Sequence, residues 1–167
     1  VVKNFKKLIE RRSSKEPIAY ILKEKEFWSK NFFVDKNTLI PRPETELIVE
    51  KLVNIFKDKK LNILDIGTGT GCILLSLLSE LKYSKGIGVD ISKKALEIAI
   101  KNSIKHKLTT KVKFYRKSVT EIYDYKFDLI VSNPPYISKK DIKNLEDDVK
   151  KFEPKIALDG GNDGLDV

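Results

Sequence analysis

Apolar residues follow two rhythms along this chain. Val2, Phe5, Leu8 and Ile9 recur at the spacing of one helix face, so residues 2–12 predict the last turns of an amphipathic helix, ended by Ser13-Ser14 and Pro17. Residues 19–22, 26–28 and 32–34 are short runs rich in aromatic and β-branched side chains. With a turn signal at Ser29-Lys30-Asn31, they predict a small hairpin whose simplest reading is a structural connector. A second helix is predicted from near Glu44, with Leu47, Ile48, Leu52, Val53, Ile55 and Phe56 on a wide apolar face and Lys59-Lys60 at its end.

From Leu61 the rhythm alternates. Residues 61–66 read as a buried strand, and Ile73, Leu74, Leu77, Leu78 and Leu81 then return to helical spacing. Residues 86–90 form a second strand, followed by Ser92 as a natural N-cap for a helix carrying Ala95, Leu96, Ile98, Ala99 and Ile104. Residues 112–115 predict a third strand and residues 127–132 a fourth, buried one. This alternation defines an α/β fold with a parallel, doubly wound sheet and right-handed crossovers. Beyond it, Ile142, Leu145 and Val149 predict a shorter amphipathic helix, and residues 157–164 a glycine-rich turn. Four parallel strands leave the last-formed edge and one face under-covered. Together with the start at Val1-Val2 and the end at Leu165-Asp166-Val167, this predicts a fragment, with a sheet incomplete at the C-terminus.

Composition changes the picture little. A chain of 167 residues is one domain, or one with an appendage. The net charge is +9, from 33 Lys and Arg against 24 Asp and Glu, which invites a nucleic-acid reading. The lysines come as scattered pairs such as Lys6-Lys7, Lys93-Lys94 and Lys139-Lys140, the pattern of solvated helix faces. Cys72 is the single cysteine, so no intramolecular disulfide forms and a reducing compartment is the simpler reading. No run approaches the ~18 apolar residues of a membrane span, and no signal peptide is visible.

Two stretches carry chemistry. Asn133-Pro134-Pro135-Tyr136 follows the fourth strand; its two prolines remove two N–H donors and hold the backbone extended. A carboxamide before them and an aromatic ring after them make an acceptor-rich site suited to a planar NH2 group. The second stretch is Gly67-Thr68-Gly69-Thr70-Gly71, at the carboxyl end of the first strand, where open α/β sheets bind ligands. Asp90 ends the second strand about twenty residues on, where an acid can accept hydrogen bonds from both ribose hydroxyls. The spacing departs from the G-x-G-x-x-G of dinucleotide binders, and Asp65 sets a carboxylate beside the ligand. That suits a zwitterionic or cationic ligand better than a pyrophosphate, and favours S-adenosylmethionine over NAD. Pro41-Arg42-Pro43 reads equally as a helix entry turn or as a rigid arm presenting Arg42 and Thr45 to the site. No metal ligands are assigned. His106 is expected on the surface at a helix end.

These residues together resemble the HemK/PrmC methyltransferases, the peptide chain release factor N5-glutamine methyltransferases. The resemblance rests on Ile40-Pro41-Arg42-Pro43-Glu44-Thr45-Glu46, Asp65-Ile66-Gly67-Thr68-Gly69-Thr70-Gly71, Val89-Asp90-Ile91-Ser92 and Ser132-Asn133-Pro134-Pro135-Tyr136-Ile137. It extends to residues 17–22 and 26–34 and to the Asp159-Gly160-Gly161 tail. Asn-Pro-Pro-Tyr is shared with DNA and RNA amino-methyltransferases; the Pro-Arg-Pro-Glu-Thr-Glu segment narrows the resemblance. It implies a Rossmann-like S-adenosylmethionine-dependent sheet. Residues 1–38 would be the end of a helical domain plus a hairpin linker, and residues 39–167 the N-terminal part of the methyltransferase domain. Where the family usually has Ser-Asp after the third strand, this chain has Ser118-Val119, followed by Thr120.

The implied reaction methylates the glutamine side-chain nitrogen of the release factor Gly-Gly-Gln motif. Asn133, Pro134 and Tyr136 would be catalytic, and Asn133, Pro134, Pro135, Tyr136 and Arg42 would meet the substrate. Gly67, Thr68, Gly69, Thr70, Gly71, Asp90 and Asn133 would hold the cofactor. A bacterial cytoplasmic setting is implied, with an organelle as alternative, and neither membrane association nor direct nucleic-acid binding is expected. The rival readings are an adenine-N6 or guanine-N2 methyltransferase on DNA or RNA, and an inactive cofactor-binding fragment. The isolated chain is expected to bind cofactor weakly and turn over poorly.

Overall fold

The computed structural model describes residues 2–122 and 126–166. Its centre is a parallel sheet of β3 (Asn62–Ile66), β4 (Lys85–Asp90), β5 (Val112–Arg116) and β6 (Leu129–Ser132), in the order β5-β4-β3-β6. The chain adds strands outward from β3 on one side, then returns to place β6 on the other. The crevice between β3 and β6 is therefore the point where strand order reverses, which is where such sheets take ligands. Register sharpens this: Ile66 pairs with both Val89 and Ser132, so Gly67, Asp90 and Asn133 follow at one level on three adjacent strands.

Helix α4 (Cys72–Glu80) is apolar almost all round and lies at the middle of the core, with Leu74, Leu75, Leu77 and Leu78 fully buried. Helix α5 (Lys93–Lys105) starts as the sequence predicts: Ser92 caps it by accepting from the Ala95 amide. Ile104, read as part of its apolar stripe, is exposed. Helix α3 (Glu46–Phe56) follows a 3-10 turn at Pro43–Thr45. Its expected wide apolar face is narrower than predicted, because Leu47 and Ile55 point to solvent and only Val49 is fully buried.

The N-terminal region departs further from the reading. Helix α1 (Val2–Ser13) forms, with Val2, Phe5 and Ile9 exposed. Residues 19–22, expected as strand, belong to the short helix α2 (Ile18–Leu22), which Pro17 precedes and Lys23 ends in a left-handed conformation. The hairpin pairs β1 (Glu24–Phe27) with β2 (Lys30–Phe33). Its turn is Trp28-Ser29, both at positive φ (51° and 52°), one step earlier than the predicted Ser29-Lys30-Asn31. Trp28 anchors the turn: its amide donates to Glu46 and its indole N–H to Glu80.

Two other expectations change. Strand β6 is not buried on both faces: Ile130 is 58 % exposed, and among the described residues β6 is an edge strand paired with β3 alone. The helix predicted through Ile142, Leu145 and Val149 is two short ones, α6 (Lys139–Ile142) and α7 (Asp147–Phe152). Glu146 takes an extended ψ of 149°, so the chain leaves helical geometry between them. His106 also differs from its reading. It caps the end of α5 but is half-buried, its ring 4.6 Å from that of Phe32, and burial lowers its pKa.

Candidate active site

A cleft of about 470 Å³ opens at the carboxyl ends of β3, β4 and β6. One wall is the glycine loop with Asp90. A second is the extended arm before α3, through Pro41, Arg42 and Thr45. The third holds Asn133 and Pro135, and beyond them Pro154, Lys155, Ile156 and Ala157. The arm therefore enters the site, which resolves the choice between entry turn and arm: Pro43 opens the 3-10 turn, and Arg42 and Thr45 still face the cleft.

The loop owes its shape to glycine. Gly67 and Gly69 have φ of 68° and 55°, a region where a Cβ is disfavoured. Gly67, Thr68, Gly69 and Thr70 line the cleft; Gly71 instead forms the N-cap of α4. Two carboxylates hold the loop. Asp90 accepts the Gly69 amide at 3.0 Å on one oxygen and the Ser92 amide at 2.8 Å on the other. Each oxygen keeps a further lone pair for a ligand hydroxyl. Asp65 behaves differently from its sequence reading. It is 1 % exposed, does not line the cleft, and lies beneath the loop, where it accepts the Thr68 hydroxyl at 2.7 Å. Burial pushes its carboxyl up to about 7, with Asp90 adding to the rise and the Thr68 hydrogen bond opposing it. Cys72 lines the same cleft, but burial pushes its thiol up to about 12, so it stays neutral and a weak nucleophile.

Ser132 and Asn133 leave β6 beside the loop. The Ser132 hydroxyl donates to the Ile66 carbonyl at 2.9 Å, tying the two strand ends together. Of the tetrapeptide, Asn133 and Pro135 face the cleft, whereas Pro134 is exposed and Tyr136 stands 68 % exposed beyond it. Among the described residues, no hydrogen bond reaches the Asn133 carboxamide or the Pro134 carbonyl, so both acceptors stay available. The backbone just after them is braced by the glycine-rich tail. Ile137 donates to the Leu158 carbonyl, the Gly160 amide donates to the Ile137 carbonyl, and the Lys139 amide donates to the Gly161 carbonyl. Arg42 is partly committed: its guanidinium pairs with Glu153, whose side chain is 1 % exposed. Lys117, Ser118 and Val119 reach the cleft, as does the half-exposed Ile91, so this stretch presents a cation, a hydroxyl and apolar surface where the resemblance leads one to look for an acid.

Sequence reading missed two residues that shape this site. Asn102 is fully buried; it donates to the Thr70 carbonyl at 2.9 Å and to the Phe33 carbonyl at 3.1 Å, and accepts the Phe33 amide at 2.7 Å. It joins the hairpin to the loop. Its signal was a carboxamide on the apolar stripe of α5, one turn from Ala99. Glu153 is the other, an acid at the C-terminal end of α7, where the helix dipole disfavours it.

A strand-ordered crevice, a glycine loop backed by an acid on the next strand, and Asn133 and Pro135 facing it define a group-transfer domain of the α/β methyltransferase class. The methyltransferase-domain family model matches residues 57–156, and the chain belongs to that family. It is a homologue of release factor glutamine methyltransferases. It is 44% identical to that of Bradyrhizobium diazoefficiens over 95% of this chain and 54% of the relative. With that of Buchnera aphidicola subsp. Acyrthosiphon pisum it shares 48% over 95% of this chain and 56% of the relative. The chain spans about half the length of the curated relatives it matches. Among solved structures it superposes on the SAM-dependent methyltransferase from Agrobacterium tumefaciens with a TM-score of 0.57. That match has 19% identity and covers 69% of this chain and 40% of that one, a likeness of fold. Membership of this family implies S-adenosylmethionine as cofactor. No helix among the described residues is long and apolar enough to cross a membrane.

Proposed function

We propose that this chain carries the donor and acceptor halves of a site that methylates the side-chain amide nitrogen (N5) of the Gly-Gly-Gln glutamine in peptide chain release factors. In this reading residues 1–38 are the end of a helical domain and its hairpin linker, and residues 39–167 the N-terminal part of the methyltransferase domain. One observation carries the proposal. Asn133 leaves β6 at the level of Gly67 and Asp90 and shares their cleft with the Pro41-Arg42 arm. The names of the bacterial relatives support the choice of a release factor over other acceptors.

The donor fits the residues present. Asp90 has a free lone pair on each oxygen for a ribose diol, the glycine loop allows close backbone approach, and Ile91 and Val119 offer apolar contact to a flat base. When bound, S-adenosylmethionine supplies a methyl group on a sulfonium. An amide nitrogen is a poor nucleophile because its lone pair is delocalised into the carbonyl. Asn133 Oδ1 and the Pro134 carbonyl accept its two hydrogens, which fixes the nitrogen and favours the localised lone pair. Exposed Tyr136 is free to pack on the amide plane, and Arg42 borders the same space from the arm. The catalytic contribution is orientation plus acceptors matched to developing positive charge, with no strong base needed before attack.

The test offers the chain and labelled donor in single turnover, first with a release factor and then with RNA. Label on the release factor glutamine, lost in Asn133→Ala, is expected. Label on RNA alone, or a normal rate in Asn133→Ala, overturns the reading.

A further inference from the structure

We infer that Glu153 is a positioning residue that latches the Pro41-Arg42 arm onto the far wall of the cleft and so sets the cleft's width. The inference rests on the cleft being the methyl-transfer site proposed above, and assigns Arg42 a holding role within it.

Glu153 is a carboxylate with almost no solvent, and a buried acid persists only where its oxygens are partnered. Both are. One accepts the Ile40 amide at 3.0 Å and the other pairs with the Arg42 guanidinium. These two partners lie on the arm, 113 and 111 residues earlier in the chain. Glu153 itself ends α7, and the residues just after it, from Pro154 to Ala157, line the opposite side of the same cleft. One side chain therefore joins two walls with no backbone hydrogen bond between them among the described residues. The junction is sealed from behind. Tyr20, Val34 and Ile40 form an apolar cluster on which Phe152 packs, and the Tyr20 hydroxyl donates to the Thr38 carbonyl at 2.6 Å. The arm is thus held at Thr38, Ile40 and Arg42 in succession. The last two holds depend on Glu153.

Amide hydrogen exchange of the 167-residue chain, with S-adenosylhomocysteine as probe, tests this. In Glu153→Gln the side chain can satisfy Ile40 or Arg42 but leaves the cation without its charge partner. Exchange at residues 39–45 should rise about tenfold or more while β3 and β4 keep their protection, and probe affinity should fall about tenfold. Arg42→Lys, which keeps the cation, should retain most of the arm's protection, and Arg42→Met should match Glu153→Gln. Unchanged exchange in the arm, a rise shared equally by the sheet, or an opened arm with unaltered probe affinity would each overturn the latch. Because exchange and probe binding need no acceptor, the latch can fail while methyl transfer to the release factor stands, and the reverse.

Discussion

Replacing Asn102 should cost as much as emptying a leucine site in the core, because three backbone groups depend on one carboxamide. Asn102→Leu keeps the branched outline of four heavy atoms, and any overpacking from its larger methyls only adds to the polar loss. What goes is the donor to the Thr70 and Phe33 carbonyls and the acceptor for the Phe33 amide. Each buried group left without a partner costs about 1–3 kcal/mol, and the two on Phe33 deserve the lower figure because that residue is 39 % exposed. The sum is about 3–5 kcal/mol, against a total of about 5–15 kcal/mol for a domain. Urea denaturation reads this directly. With a slope of about 2 kcal/mol per molar, the midpoint should fall by about 2 M and the slope should stay constant. Cofactor affinity should fall too, because the Thr70 carbonyl belongs to the loop that lines the cleft. Asn102→Asp should do no better, since it keeps the acceptor but sets a charge against two carbonyls. If Asn102→Leu lies within about 1 kcal/mol of the parent, the network is not what joins hairpin to loop, and the reasoning fails.

Two further outcomes follow from the site. Asp65 has its folded-state value raised from 3.8 to about 7, so it holds its proton more tightly folded than unfolded. Its contribution is then full below about pH 4 and is lost as pH rises to about 7, by up to roughly 4 kcal/mol. Asp65→Asn should flatten that slope in thermal melts across the same window, and an unaltered slope would show that another group titrates. Gly164 has a φ of 87°, and a Cβ on it would lie 2.4 Å from the Tyr136 carbonyl oxygen. Gly164→Ala should slow methyl transfer at least about tenfold through displacement of the acceptor backbone while leaving calorimetric donor affinity near normal. Equal loss of both would place the damage elsewhere.

The sheet was legible because β3 and β6 are short apolar runs with a glycine or an acid beside them, β4 ends on an acid, and the helices between carry stripes of a different period. The Ser92 cap and the carboxyl-end loop follow from local chemistry that acts within three residues. The failures share a different physics. Residues 19–22 carry β-formers yet form a helical turn, because Pro17 and the left-handed Lys23 set its ends. Trp28-Ser29 makes a turn with two positive φ values and no glycine or asparagine to announce it; the indole's bond to Glu80 and the amide's bond to Glu46 hold it there. Asp65 was placed at the right sequence distance from the loop, but whether it faced the ligand or lay beneath depended on Thr68 and on packing. Periodicity reports which face is buried, not which polar atom finds which partner.

That distinction explains how this site is built. The apolar core fixes where the strands end, but the loops beyond those ends carry the chemistry and have little apolar surface with which to hold a shape. Here the glycine loop, the hairpin and the arm are each tied down by a buried polar side chain, and the segment after Asn133 by backbone bonds to the tail. Asp65 holds Thr68, Asn102 holds Thr70 and the hairpin, and Glu153 holds the arm. Such ties carry a high penalty when half-made and a modest gain when complete, so they discriminate between one loop conformation and its neighbours more sharply than apolar contacts do. Their partners lie 32, 69 and 113 residues apart, so no local sequence pattern announces them. The geometry of the cleft therefore rests on a few polar contacts, and should be lost by single polar substitutions that leave the strand pairing intact.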